Sequence, residues 1–233
     1  MIRFFFLLIL LAAVVKPGDA CSQTVDIREW LLPWEDSAPS NAFVGPRGRV
    51  WFVSAENDFI GNFTPDTENF NRYDLQRRTE PVALLVGAER TLWFLSAGRR
   101  EIASMNPGTG RVEAYEVPER RAREPRAMTF DADGNIWFTV SRDNFVGRLD
   151  VASAAVSIIP IATDDAEPDG IAAGGTNELW VAASGANLLL RVDAASMSIA
   201  EFPVPSEDAR PRRVAVASDN RVWYTDFERG RLG

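Results

Sequence analysis

The chain has 233 residues, 46% hydrophobic and 25% charged, the balance of a globular protein with room for one large domain or two small ones. Its formal charge of -8 argues against non-specific nucleic-acid binding, which needs a basic surface to displace counterions from phosphates. No histidine occurs, and Lys16 is the only lysine. Beyond residue 20, proton transfer near neutral pH would therefore fall to carboxylates, tyrosines or bound water.

The first predicted element is a leader over residues 1–20. Arg3 gives a positive start, Phe4–Val15 is an unbroken apolar run of 12 residues, and Gly18-Asp19-Ala20 places small residues where a signal peptidase reads. Twelve apolar residues are too few to cross a bilayer, which takes about 20. The expectation is export to the periplasm or the exterior, with no transmembrane segment in the mature chain. Cys21, the only cysteine, would then be the first mature residue and is a candidate for lipid attachment. It can form no internal disulfide, so the fold over 21–233 must stand on its core.

Next in the chain, Asp26-Ile-Arg-Glu-Trp-Leu-Leu-Pro33 matches later segments such as Ile199-Ala-Glu-Phe-Pro-Val-Pro205 and predicts an outermost strand. A repeat then takes over. Trp51, Trp93, Trp137, Trp180 and Trp223 are spaced by 42, 44, 43 and 43 residues, and each has a proline 12 positions upstream: Pro39, Pro81, Pro125, Pro168 and Pro211. Within the third copy, Pro125–Phe130 and Ile136–Thr139 are short segments rich in apolar and aromatic residues around an Asp-Gly-Asn turn, a hairpin signal. A third strand is predicted at Phe145–Leu149. A fourth is predicted near Arg111–Val117 in the preceding copy and again at Ser198–Phe202. Four short antiparallel strands in every 40–45 residues is the spacing of a propeller blade. The fold class is all-β, a β-propeller of four-stranded blades with about five present. The tryptophans are predicted to fill the space between neighbouring sheets, and Tyr73, Tyr115 and Tyr224 to pack. Gly233 stands 10 residues past Trp223, where Gly61 and Gly147 open third strands, so the expectation is a propeller cut off inside its fifth blade.

The phrases Asp133-Gly-Asn-Ile-Trp-Phe-Thr139 and Asn144-Phe-Val-Gly-Arg-Leu-Asp150 resemble the streptogramin B lyase (virginiamycin B lyase) family, and the resemblance runs over about residues 26–233. It implies a seven-bladed propeller. It also implies a carbon–oxygen lyase that opens a cyclic depsipeptide antibiotic by elimination with magnesium as cofactor, using histidines just after blade prolines. The physical need is a base for a carbon-bound proton and a cation on the adjacent carbonyl. This sequence departs from that pattern: Ser40, Val82, Arg126, Asp169 and Arg212 follow its blade prolines. Ser54, Ser96, Val140, Ala183 and Asp226 stand three residues past each tryptophan, where the resemblance puts a metal-binding glutamate. No catalytic residue carries across.

Charge does cluster at the blade entries: Glu124 and Arg126, Glu167 and Asp169, Arg210 and Arg212 flank equivalent prolines. Equivalence in a repeat predicts that they converge on one face around the channel, as a polar pocket for a small molecule or protein partner. Glu167, Asp169 and Asp226 could offer hard oxygens to magnesium or calcium. Asp131-Ala-Asp-Gly-Asn135 is read as a turn, because a calcium loop needs a longer acidic ladder. Glu119–Glu124 is read as a self-neutralised loop, and the sequon at Asn62 is discounted because Pro65 follows it. The leading expectation is an exported, monomeric binding scaffold. A lyase whose chemistry lies beyond Gly233 is the second expectation, and a calcium-dependent lactonase-like propeller the third.

Overall fold

In the computed structural model, which describes residues 27–35, 37–118 and 122–233, each tryptophan repeat folds into one small antiparallel sheet. The first sheet is β1 (Pro39–Val44), β2 (Val50–Ser54), β3 (Phe59–Thr64) and β4 (Asn69–Asp74); the second is β5 (Pro81–Val86), β6 (Leu92–Ser96), β7 (Glu101–Met105) and β8 (Val112–Glu116). The third is β9 (Pro125–Phe130), β10 (Ile136–Val140), β11 (Phe145–Asp150) and β12 (Ala155–Pro160); the fourth is β13 (Pro168–Ala173), β14 (Glu178–Ala183), β15 (Leu188–Asp193) and β16 (Ser198–Pro203). The fifth holds three strands, β17 (Pro211–Val216), β18 (Val222–Asp226) and β19 (Arg231–Leu232). Strand order within every sheet follows the sequence, and the first strands lie side by side, β1 by β5, β5 by β9, β9 by β13 and β13 by β17. This is the all-β propeller read from the spacing, with its first strands lining the axis.

Sequence chemistry explains each turn. The residue before every third strand has positive φ (Asp58, Arg100, Asn144, Asn187, Gly230), a region that Asn, Asp and Gly enter most cheaply. Where the third strand turns into the fourth, Asp150 Oδ1 accepts the backbone N–H of Ser153 and Asp193 Oδ1 that of Ser196. These bonds hold both carboxyls below the usual carboxylate range.

The core lies between sheets. Trp51 packs with Leu84 and Phe94 of the second sheet, Trp93 with Met128 and Phe138 of the third, and Trp137 with Leu179 and Val181 of the fourth. These three indoles are 3%, 6% and 0% exposed, Trp180 is half-buried, and Trp223 is 44% exposed. A ring in the second strand is buried by the sheet that follows it. Tyr73 stacks on Trp51 at 5.8 Å and Tyr115 lies 5.5 Å from Trp93, so these two tyrosines pack as expected.

One reading needs adjustment. Ile27–Pro33 is in no sheet, because an edge strand exists only by pairing with a neighbouring backbone and its strand-like sequence does not supply one. Asn62 is fully buried on β3, accepting from Asn71 and donating to Tyr73, so its side chain is a packing group. The predicted leader and Cys21 lie outside the described residues, as does Glu119–Arg121 of the charged loop. Among the described residues no helix is long and apolar enough to cross a membrane. Leu32–Gly233 forms one compact unit.

Candidate functional site

The segment entering each sheet and the hairpin between its second and third strands share one end of the propeller. Ala97, Ser141, Ser184 and Phe227 donate their backbone N–H groups to the carbonyls of Glu80, Glu124, Glu167 and Arg210, at 3.1, 3.0, 3.1 and 3.5 Å. Those four acceptors are the residues just before blade prolines. They and Ala38 all have positive φ, between 37° and 59°. The register then slips in every sheet just after the proline, between Pro125 and Met128 opposite β10, Pro168 and Ile171, and Pro211 and Val214. Such a bulge re-aims side chains away from the plain alternation of a strand. It is repeated at the position that carries Arg126, Asp169 and Arg212.

Between the third, fourth and fifth sheets these residues close on a cavity of about 190 Å³, lined by Arg126, Ser141, Glu167, Asp169, Ser184, Arg210, Arg212 and Phe227. Asp169 is its fixed centre, with a side chain only 7% exposed. Arg212 Nε donates to Asp169 Oδ2 at 3.0 Å and Arg213 Nη1 to Asp169 Oδ1 at 2.6 Å. Thr139 Oγ1 donates to the Asp169 carbonyl at 2.6 Å, tying β10 to β13. A Cβ on Gly170 would stand 2.6 Å from the Arg212 carbonyl, so β13 and β17 approach as only glycine allows. That approach brings Asp169 within reach of two guanidinium groups from the next sheet. The Arg212 guanidinium lies 5.0 Å from the ring centre of Phe227, itself 61% exposed at the rim. Arg210 bridges Glu228 at 3.3 Å and Glu167 at 3.9 Å.

Of the seven residues singled out in the sequence, Arg126, Glu167, Asp169, Arg210 and Arg212 meet in this cavity. Glu124 stands aside, paired with Arg126 at 3.2 Å and Arg142 at 3.6 Å. Asp226 is buried outside the lining and accepts the Arg229 backbone N–H at 2.9 Å. Sequence reasoning missed Ser141, Ser184 and Phe227, although all three stand four residues past a repeat tryptophan, an offset that could have found them. It also missed Arg213, the second partner of Asp169. In the charged loop, Arg123 pairs with the buried Asp143, whose hydrogen bond raises the Arg123 guanidinium further above its usual value.

The donor set does not fit the magnesium that the resemblance implies. Both oxygens of Asp169 are taken by arginines, Asp226 is turned to a backbone amide, and Glu167 faces Arg210. Among the described residues no three Asp, Glu, Cys or His side chains are grouped to hold a metal ion. Asp131, the other acidic candidate, accepts from the amides of Asp133 and Asn135 and from Trp137 Nε1, and so closes its turn as read. What the cavity offers is three guanidinium groups and the Ser141 hydroxyl beside one accessible carboxylate, the Ser184 hydroxyl being spent on the Glu167 carbonyl at 3.2 Å. Such a set recognises carbonyl or carboxylate oxygens.

The residues that carried the family resemblance prove to be architectural. Asn144 ties down the segment that enters the fourth sheet, accepting from Ala166 N and donating to the Thr163 carbonyl. Gly147 makes room for Phe138, Arg148 lies over Trp137, and Asp150 closes a turn. They identify the blade and leave the chemistry open.

Comparison with known proteins agrees. The profile of the Virginiamycin B lyase family matches residues 18–233. No curated protein matches the sequence. Among solved structures, the chain is similar to selenomethionine-substituted virginiamycin B lyase from Staphylococcus aureus, with 27% identity over 88% of this chain and 68% of that one and a TM-score of 0.80. It is similar to a catalytically inactive histidine-to-alanine form of the S. aureus lyase with quinupristin, with 25% identity, 91% and 71% coverage and a TM-score of 0.83. A streptogramin B lyase structure matches with 28% identity, 88% and 67% coverage and a TM-score of 0.77. With its whole repeat region inside the match, the chain belongs to the virginiamycin B lyase family.

Proposed function

We propose that this protein is an exported, monomeric propeller that binds a small oxygen-rich ligand at the cavity around Asp169 and holds it without opening it. The observation that carries the reading is the cavity's composition. Where the resemblance places histidine after a blade proline, the cavity has Arg126, Asp169 and Arg212, with Asp169 neutralised by Arg212 and Arg213. These are groups that bind and orient. None is a neutral base near pH 7. The S. aureus relative that holds quinupristin is inactive for want of one histidine, and this sequence contains none. A cyclic depsipeptide is therefore the ligand class of choice, its carbonyls meeting the arginine guanidiniums and the Ser141 hydroxyl. At about 190 Å³ the cavity is below the usual range for a whole drug-sized ligand, so it takes one edge of the ring while the rest lies against Phe227.

Export rests on the apolar run Phe4–Val15 and the small residues before Cys21. Mass spectrometry of the mature N-terminus, with cell fractionation, tests cleavage and acylation together. A chain retaining Met1 in the cytoplasm would refute export.

Family membership favours a second reading, lyase action by the whole protein. One experiment separates the two. The full chain is titrated calorimetrically with a streptogramin B, and the same mixture with magnesium is followed by chromatography for the linear product. Binding with no linear product is expected. Time-dependent linear product replaces binding by lyase action, and no binding at all removes this ligand class.

A further inference from the structure

We infer a second site on the opposite face of the propeller: a phosphate-binding cleft between the first and second sheets, built from Arg47, Arg49 and Arg90. The three side chains line one cavity of about 240 Å³ together with Trp51. The hairpins joining first to second strands bound it. This is the end away from Asp169, and nothing in the reading of the mouth depends on it.

Two observations point to a ligand. The first is where the arginines stand. In the third, fourth and fifth sheets the left-handed residue of this hairpin is Gly134, Asn177 or Asn220, with φ of 82°, 61° and 63°. Glycine and asparagine enter that region at least cost. The second sheet puts Arg90 (φ 63°) there instead; the first keeps a glycine there, Gly48 (φ 69°), and adds a second left-handed residue just before it, Arg47 (φ 64°). The hairpin itself is the same, closed by Gly45 N–H to the Arg49 carbonyl and by Gly87 N–H to the Thr91 carbonyl, both at 2.8 Å. Each of two adjacent sheets thus holds a cation in the left-handed conformation that costs arginine more than glycine or asparagine, and both cations face one cleft.

The second observation is charge. Along the same sheets, Arg72, Arg99 and Arg111 each bridge a carboxylate two residues away, at 2.6 to 2.8 Å. Among the described residues Arg47, Arg49 and Arg90 form no ion pair, although the chain carries a charge of -8. Asp66 also lines the cleft and leaves it a net surplus of two positive charges. Arg49 is steadied by the Trp51 ring, 5.9 Å from its guanidinium carbon. Converging guanidinium forks with no carboxylate of their own match the oxygens of a phosphate group, and the volume leaves space for a small body attached to it. The source is a soluble phosphate compound or a lipid headgroup.

Calorimetric titration of the full chain with inorganic phosphate at low salt tests the site. The double variant Arg47→Asn with Arg90→Asn puts at both left-handed positions a residue that enters that region at lower cost, so it should fold with an unchanged or higher melting temperature. Its affinity for phosphate should fall by about tenfold or more, the cost of losing a charged hydrogen bond. Arg126→Gln, at the mouth, should bind phosphate as the parent does. Co-sedimentation with phosphatidylglycerol but not phosphatidylcholine vesicles, lost in the double variant, would assign a headgroup. Phosphate binding without vesicle binding would assign a soluble compound. Equal affinity in parent and double variant, loss in Arg126→Gln instead, or binding to neither probe would overturn the site.

Discussion

Phe138 occupies the space in which a side chain on Gly147 would have to stand. The two are cross-strand partners on β10 and β11, and a Cβ built on Gly147 lies 2.1 Å from Phe138 Cζ. Phe52 and Gly61 repeat the relationship in the first sheet, at 2.2 Å. In the second sheet Phe94 faces Ala103, so the ring there has room for a methyl group.

Gly147→Ala should therefore destabilise the protein by about 1–3 kcal/mol through overpacking of a fully buried ring. Adding Phe138→Leu should return part of the loss, because the branched side chain vacates the ring's far edge. Urea denaturation of the two single variants and the double variant measures the coupling, and strictly additive losses would contradict the contact.

Asp169→Asn removes the buried charge that Arg212 and Arg213 share. The arginines are 42% and 64% exposed, so water screens part of the loss. A cost of about 1–3 kcal/mol is expected. The same change should loosen Arg212 over Phe227 and weaken ligand binding at the mouth. A variant with parental stability and parental affinity would show that the pair organises nothing.

Asn187 holds the segment that delivers Arg210 and Arg212. Its Oδ1 accepts the N–H groups of Ala209 and Arg210 at 2.9 and 3.2 Å, while its Nδ2 donates to the Ser206 carbonyl at 2.6 Å. Asn187→Ala should leave the sheets intact, cost about 1–3 kcal/mol and speed amide hydrogen exchange at Ala209 and Arg210. Unchanged exchange at those two amides would mean that the side chain does not hold the segment.

Asp193 gives a pH signature. Its carboxyl is held below the usual carboxylate range, chiefly by the Ser196 backbone N–H. The folded value thus lies under an unfolded one of about 3.9. The stability it contributes is complete above about pH 4 and is lost as the pH falls through the lowered folded value. Asp193→Asn, which keeps an acceptor but cannot titrate, should flatten the acid limb of the stability curve. Parallel acid limbs in variant and parent would count against it.

The repeat was legible in the sequence because everything that makes a blade is local. Proline, tryptophan and hairpin residues recur at fixed offsets, and alternation within a few residues dictates strands wherever their backbone partner is also near in sequence. Strand order, the tryptophans' place in second strands and the Asp131 turn all follow from this. The outer strand expected at Ile27–Pro33 did not, since pairing with a distant strand is no property of the segment itself.

What sits between sheets was decided only in three dimensions. Sequence placed six charges at equivalent entries and Asp226 past Trp223, but their meeting depends on bulges, on side-chain direction and on how closely two sheets approach. The approach at Gly170 gave Asp169 to Arg212 and Arg213, while Glu124 and Asp226 turned to other partners. Likewise the five tryptophans are equivalent in sequence, yet Trp137 is fully buried and Trp223 is 44% exposed. Burial belongs to the neighbouring sheet, and no local pattern within one repeat encodes what lies against its face.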